Sequence, residues 1–192
     1  MARGRIGTRV QYSTNDVGSR GRQKVEATLA RLPDMEVTPA VVAEERDRIR
    51  DDEAVPELIN DVRGRLGPQF GVAVDPVGVE TYRAAVEAVF ADGDRAVNVA
   101  ALSALLRELD CAGDYPGFVV DEFLGRRLAS TIAGGQPLAL LAESTFHVAD
   151  VTVDAETAGD DDRLAALAAG FQTRLPGWAW TDAESPFAVD PD

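Results

Sequence analysis

Residues 98–134 read NVAALSALLRELDCAGDYPGFVVDEFLGRRLASTIAG, and this stretch decides the fold class. Apolar residues recur every three or four positions on both sides of a glycine- and proline-containing turn, which is the spacing of one helix face. The two stripes are Val99, Leu102, Leu105, Leu106 and Leu109, and then Val120, Phe123, Leu124, Leu128 and Ile132. With Asn98 as the expected N-cap and Gly134-Gly135 as the expected stop, they predict an antiparallel hairpin of helices over residues 98–110 and 116–133.

The same periodicity continues outward in both directions. A first helix is expected over residues 25–32, and Thr38-Pro39 pairs a capping hydroxyl with a first-turn proline. The segment that follows is mostly charged, so we expect an exposed helix with a thin apolar stripe of Val42 and Ile49. The remaining stripes are Val55, Leu58, Ile59, Val62 and Leu66, ended by Gly67-Pro68; Val79, Tyr82, Val86, Val89 and Phe90; and Leu164, Leu167, Ala168 and Phe171.

Two segments show strand character, FGVAV at 70–74 and HVADVTV at 147–153. Together with the helical stripes they predict a mainly α fold. We expect a compact domain of six or seven helices, with at most a small accessory β-sheet and extended N- and C-terminal arms. The predicted organisation is a basic arm over 1–18, a helical domain over 19–175, and an aromatic, acidic tail over 176–192.

The charge balance is strongly acidic. The 192 residues contain 33 Asp and Glu against 19 Lys and Arg, and Lys24 is the sole lysine. A dense carboxylate surface keeps a protein hydrated and soluble where salt screens ordinary repulsion, so the composition predicts a salt-rich cytoplasm. The alternative is an ordinary acidic protein from a GC-rich genome, in which codon bias alone favours arginine over lysine.

The first 24 residues run against this balance. They contain six basic residues and one acid, for a net charge of +5, whereas the rest of the chain has a net charge of −19. At molar salt the Debye length is about 3 Å, so such an arm acts only in direct contact. Its arginines suit bidentate bonds to phosphate or carboxylate. The candidate partners are nucleic acid, another protein, and the acidic body of this same chain.

The far end carries both tryptophans, Trp178 and Trp180, in a proline-punctuated stretch. Tryptophan is typical of interface anchors, although a latch onto the chain's own core is an equally good interpretation. The predicted partner-contact residues at the two ends are Arg3, Arg5, Arg9, Tyr12, Arg20, Arg22, Lys24, Trp178, Trp180 and Phe187.

Motifs for metal, cofactor or catalytic chemistry are not found. One cysteine and one histidine exclude an internal disulfide, CxxC and HExxH, and the phosphate-loop and nucleophile-elbow patterns are missing. On a helix, Glu143 and His147 would share one face and could hold a metal ion. The residues around them favour a strand, in which this spacing would not bring the two side chains together. A triad of His147 with Asp150 and Ser144 or Ser130 is the remaining catalytic hypothesis. We expect neither a cofactor nor a metal.

The predicted hairpin could also be a DNA-binding helix-turn-helix. Its second helix would enter the major groove by its first turns, which carry Asp121 and Glu122. Phosphates repel those acids, so an ordinary helical hairpin is the better interpretation.

These observations favour a non-enzymatic structural or assembly subunit, docked by its arms into a homo-oligomer or a multi-protein complex. A connector or neck component of a virus particle in a halophilic archaeon is one concrete form. The alternatives are a nucleic-acid-binding protein that uses the basic arm, and an enzyme with a site near His147. We expect a cytoplasmic or virion protein without a membrane contact, since the apolar run at 137–142 is too short to span a bilayer and the first residues lack the apolar core of a secretory signal.

The composition predicts a salt-dependent fold. We expect folding to require KCl on the order of 1 M, because the excess carboxylates repel one another where screening is weak. Circular-dichroism melts in dilute buffer and in KCl measure this dependence. Equal melting temperatures in the two media would contradict it.

Overall fold

The computed structural model describes residues 36–109, 120–153 and 158–182. These ranges contain seven helices of twelve or more residues and one short helix, and they contain no strand. The helices are α1 (Pro39–Asp51), α2 (Ala54–Phe70), α3 (Val79–Phe90), α4 (Gly93–Glu108), α5 (Val120–Ala133), α6 (Leu138–Asp150), α7 (Ala158–Gln172) and α8 (Ala179–Asp182). The mainly α class is confirmed. The helix predicted over 25–32 lies outside the described residues.

Helix starts follow local capping chemistry. Thr38 caps α1 as predicted: its hydroxyl oxygen accepts a hydrogen bond from the Val41 N–H at 3.3 Å, and Pro39 takes the first position. The predicted start of α4 at Asn98 is wrong. Asp92 is the cap, with its carboxylate accepting from the Arg95 N–H at 3.2 Å, so the helix begins a turn and a half earlier. The Asn98 side chain instead donates to the Asp94 carbonyl inside the helix.

Both predicted strands are wrong. Helix α2 runs through Pro68 to Phe70 and ends at Gly71, whose positive φ of 67° suits only glycine without strain. Residues 72–78 then form an irregular connection. Residues 147–150 belong to α6, whose buried side chains Ala142, Thr145, Phe146 and Ala149 recur at helical spacing. Burial of this face against other helices outweighs the β-propensity of Thr145 and its valine neighbours.

Helix α7 lies at the centre of the described core. It packs against five other helices, namely α2, α3, α4, α5 and α6. Residues 165–171 are all buried, so this helix has no solvent-facing side over two turns. A helix that is buried on every side is apolar on every side. The alanines of α7 therefore show no alternation between an apolar and a polar face in the sequence.

Small residues let α7 approach its neighbours closely. A Cβ on Gly170 would lie 2.8 Å from the Ile132 Cβ and 2.9 Å from the Ala129 carbonyl oxygen, both on α5. A Cβ on Gly125 of α5 would lie 2.7 Å from the Phe146 ring. These two glycines therefore set the spacing of α5 against α7 and α6.

Polar bonds tie α1 to this core. Glu45, on the helix predicted to be exposed, is only 2% exposed, and its carboxylate accepts from the Ser103 hydroxyl at 2.7 Å and from the Arg107 guanidinium. Tyr82 is also buried: its hydroxyl donates to the Ile49 carbonyl at 2.6 Å, and its ring meets Phe171 edge-on at 5.4 Å. These contacts satisfy the buried polar groups that join α1 to α4 and α3.

The close approach of α5 and α7 predicts an asymmetric response to two alanine substitutions. We expect Gly170→Ala to lower the free energy of unfolding by about 1–3 kcal/mol, because the new methyl group meets backbone that must shift. Gly93→Ala, at a position where the described residues outside its own helical turn leave open space around the new Cβ, should leave stability unchanged or slightly raised. Chemical denaturation in KCl measures both; equal losses would contradict the prediction.

Candidate functional site

Most of the predicted partner-contact residues lie outside the described part of the chain. These are Arg3, Arg5, Arg9, Tyr12, Arg20, Arg22, Lys24 and Phe187, together with the side chain of Trp180. Their contact with a partner stays a prediction.

Trp178 is the partner-contact candidate that the structure describes, and it is buried. It is 1% exposed, its ring meets Phe70 edge-on at 6.0 Å, and the Arg63 guanidinium lies 5.4 Å from the ring centroid. Within this chain the tryptophan is therefore a latch onto the chain's own core, the alternative that the sequence left open. The core extends past the expected domain end at residue 175.

His147 lies on the outer side of α6. Because this segment is a helix, Glu143 does precede His147 by one turn, and the expectation that a strand would spoil the spacing is wrong. The imidazole is 68% exposed, with Nδ1 3.7 Å from an Asp150 oxygen. Ser144 and Ser130 donate their hydroxyls to carbonyls of their own helices. Across the described residues, no group of three or more His, Cys, Asp or Glu could hold a metal ion.

The arginines of α5 are engaged within the chain. Arg126 donates to the Glu122 carboxylate at 2.6 Å and to the Glu143 carbonyl at 2.9 Å, and Arg127 lies 3.5 Å from the Glu143 carboxylate. In the first turn of the helix Asp121 is 3% exposed. Of the two acids expected to repel phosphates, Asp121 is therefore buried and would not face a nucleic-acid groove, whereas Glu122 lies at the surface paired with Arg126.

Three carboxylates meet where α5, α6 and α7 adjoin: Asp121, Asp150 and Asp162. Asp162 is 7% exposed, and burial, followed by the charges of Asp121 and Asp150, raises its pKa to about 7. Burial also raises the pKa of Asp150, against the opposing effect of His147. The burial of Asp162, in the first turns of α7, was not predicted from the sequence. The sequence did contain one signal for this burial: Ala165 and Ala166, three and four positions later, lie on the same helix face as Asp162.

The outer side of the α5–α6 hairpin carries exposed apolar side chains. We call this surface the hairpin face; it consists of Val120, Phe123, Arg127, Leu140, Glu143, Ser144, His147 and Val151. Val151, Leu140 and Val120 are 59%, 56% and 51% exposed, the highest values among the large apolar residues that the structure describes. The Arg127 guanidinium bridges the two helices, 3.5 Å from Glu143 and 6.0 Å from the Phe123 ring centroid.

The comparisons with known proteins assign a family. Residues 35–191 match the family described as Domain of unknown function (DUF7984), and the chain belongs to that family. No curated protein and no solved structure matches the chain. Within the described ranges, none of the helices combines the length and the apolar character needed to cross a bilayer.

The carboxylate cluster predicts that stability falls as the pH rises. The folded pKa of Asp162, about 7, lies above its unfolded value, so the folded state binds more protons between those two pKa values. This contribution is full below about pH 4 and is lost as the pH rises through about 7. We expect the free energy of unfolding to drop by about 2 kcal/mol between pH 5 and pH 8, and Asp162→Asn to remove most of that drop.

Urea denaturation at both pH values, at fixed KCl, measures this effect. Asp61→Asn, which changes an exposed acid on α2, is the matched control and should keep the wild-type pH dependence. The neighbouring acids Glu122 and Asp161 act on Asp162 in the same direction and stay in place in both variants. A wild-type drop that Asp162→Asn leaves intact would contradict the assignment.

Proposed function

We propose that this protein is a non-enzymatic assembly subunit that pairs with a second copy of itself through the hairpin face. The carrying observation is the exposure of Val151, Leu140 and Val120 on one side of one helical hairpin. Grouped apolar side chains of this kind are typical of surfaces that another protein covers.

The charges of the hairpin face favour a second copy over an unrelated partner. Arg127 and Glu143 lie side by side on it, 3.5 Å apart. In a two-fold contact each surface patch meets itself, so the arginine of one copy can face the glutamate of the other on both sides of the axis. The same patch therefore supplies both halves of a complementary pair.

The size of the hairpin face sets the expected strength. Helices of 14 and 13 residues are about 20 Å long and about 10 Å wide each, which gives roughly 400 Å² per copy. A standard interface buries about 800 Å² per partner. We therefore propose a weak dimer from this face alone, with the basic arm predicted over residues 1–18 supplying further contact in a larger assembly.

The setting proposed for this assembly is a salt-rich cytoplasm, or a virus particle formed in one. The 33 acids and single lysine support it, because such a surface remains soluble at high ionic strength. Apolar contact and direct arginine–carboxylate pairing are the interactions that survive strong screening.

The test is the oligomeric state of the full chain in KCl, measured by sedimentation across a concentration series. We expect Leu140→Glu to raise the dimer dissociation constant by at least about tenfold, because it places a charge in the apolar contact. Leu105→Glu, the same change at a leucine 38% exposed on α4, is the matched control and should have no effect.

A charge swap tests the pairing itself. Arg127→Glu and Glu143→Arg should each weaken the homodimer, since one variant presents two acids and the other two bases. Mixing the two variants should restore association as a heterodimer. A chain that is monomeric at every concentration, or a Leu140→Glu variant that behaves like Leu105→Glu, would refute the proposal.

A further inference from the structure

Another exposed apolar surface lies at the C-terminal end of α2. It contains a cavity of about 370 Å³, and we call this surface the α2 groove. Phe70 and Val72 are 48% and 38% exposed, and buried Arg63 is the one charged residue among the described residues that line the cavity. Apolar side chains grouped in a concave surface are typical of a site that another segment covers. The residues of the α2 groove are Gly64, Gly67, Pro68, Phe70 and residues 71–74.

Glycines hold the α2 groove in shape. At Gly71 the backbone takes a φ of 67°, which suits glycine, and the Val72 N–H donates to the Gly67 carbonyl at 2.9 Å. A Cβ on Gly67 would lie 2.8 Å from the Val72 carbonyl oxygen, so this close return of the chain requires glycine. The shape of the groove is therefore set by contacts within residues 67–72 and does not depend on what covers it.

The chain that follows α7 runs beside the α2 groove. A Cβ on Gly177 would lie 3.2 Å from a methyl group of Val74, which lines the cavity. The next residue, Trp178, packs its ring edge-on against Phe70, with the ring centroids 6.0 Å apart. Helix α8 then extends the chain by four residues, or about 6 Å, to Asp182. The segment over residues 183–192 therefore begins close to the groove.

This segment, which lies outside the described residues, contains a short apolar run. It reads AESPFAVDPD, so residues 186–189 are apolar and acids lie on either side of them. Phe187 follows the last residue of α8 by five positions, and five extended residues span about 17 Å. This reach allows Phe187 to return to the α2 groove. The family match over residues 35–191 runs through the same segment, so it belongs to the same domain as the groove.

Charge complementarity favours the same occupant. Residues 183–192 contain three acids and no basic residue. Arg65 directly follows Gly64 and lies one turn before Pro68, so it borders the α2 groove. It is exposed, and no ion pair joins it to another residue of the described ranges. An acid of the segment can therefore pair with Arg65 while the apolar run fills the groove.

We propose that residues 186–189 dock into the α2 groove of their own chain, with the Phe187 ring against Val72 and Val74 and with Arg65 paired to an acid of the segment. The same chain is favoured over a second copy, because the segment begins beside this groove and a tethered segment has a high effective concentration. Phe187 is then a contact within the chain, as Trp178 is. The proposal does not rest on pairing through the hairpin face.

The experiment is ¹⁵N relaxation NMR of the full chain at constant KCl. We expect the amides of residues 187–189 to have order parameters of about 0.85, the value of rigid backbone. Phe187→Ala should lower the values at residues 188 and 189 below about 0.6 and shift the amide signals of residues 64–74. Phe123→Ala, the same change at a phenylalanine 46% exposed on α5, is the matched control and should do neither.

A change in the groove tests the other side of the contact. Val72→Asp places a charge where the apolar run docks and should lower the order parameters of residues 187–189 below about 0.6. Val97→Asp, at a valine 45% exposed on α4, is its control and should leave them unchanged. If Val72→Asp does not fold, the Phe187→Ala and Phe123→Ala pair decides.

Three results would refute the proposal. The first is a wild-type order parameter below about 0.6 at residues 187–189, and the second is unshifted groove signals in Phe187→Ala. The third is docking that disappears on dilution, because the occupant would then be the segment of a second copy. Leu140→Glu, which is expected to weaken pairing through the hairpin face, should leave the order parameters of residues 187–189 unchanged, so the two proposals are tested separately.

Discussion

The structure depends on the close packing of one helix that has no free side. Residues 165–171 of α7 are buried among five neighbouring helices, and alanines and a glycine make up most of that stretch. At Gly170 the backbone of α5 is so near that a single methyl group would collide with the Ala129 carbonyl. Protein interiors are packed at crystal-like density, so the positions of the neighbouring helices are set by these small residues.

This packing has an electrostatic consequence at one end of α7. Bringing α5, α6 and α7 together places Asp121, Asp150 and Asp162 near one another, and burial raises the pKa of Asp162 to about 7. Glu45 has the opposite surroundings, because Ser103 and Arg107 donate to its carboxylate. The two buried acids thus differ in their surroundings: a cation compensates the charge of Glu45, whereas other carboxylates surround Asp162.

The same arrangement decides what remains outside. Helices α5 and α6 pack their inner faces against α7, so their outer residues form the hairpin face. On another side, the chain that leaves α7 crosses α2, where Trp178 covers Phe70 and the Pro176 carbonyl takes a hydrogen bond from Arg63. The hairpin face is therefore a by-product of how the neighbours of α7 are covered.

The sequence by itself determined what depends on neighbours within one or two turns. The stripe from Val55 to Leu66, the Thr38 cap and the stop at Gly134, with its φ of 98°, all follow from i, i+3 and i+4 spacing or from one residue's backbone freedom. The tertiary structure alone decided the helical state of residues 147–150 and the burial of Asp162, Trp178 and Arg63. Each of these depends on atoms from helices distant in the sequence, and single-chain periodicity carries no information about which helix covers which face.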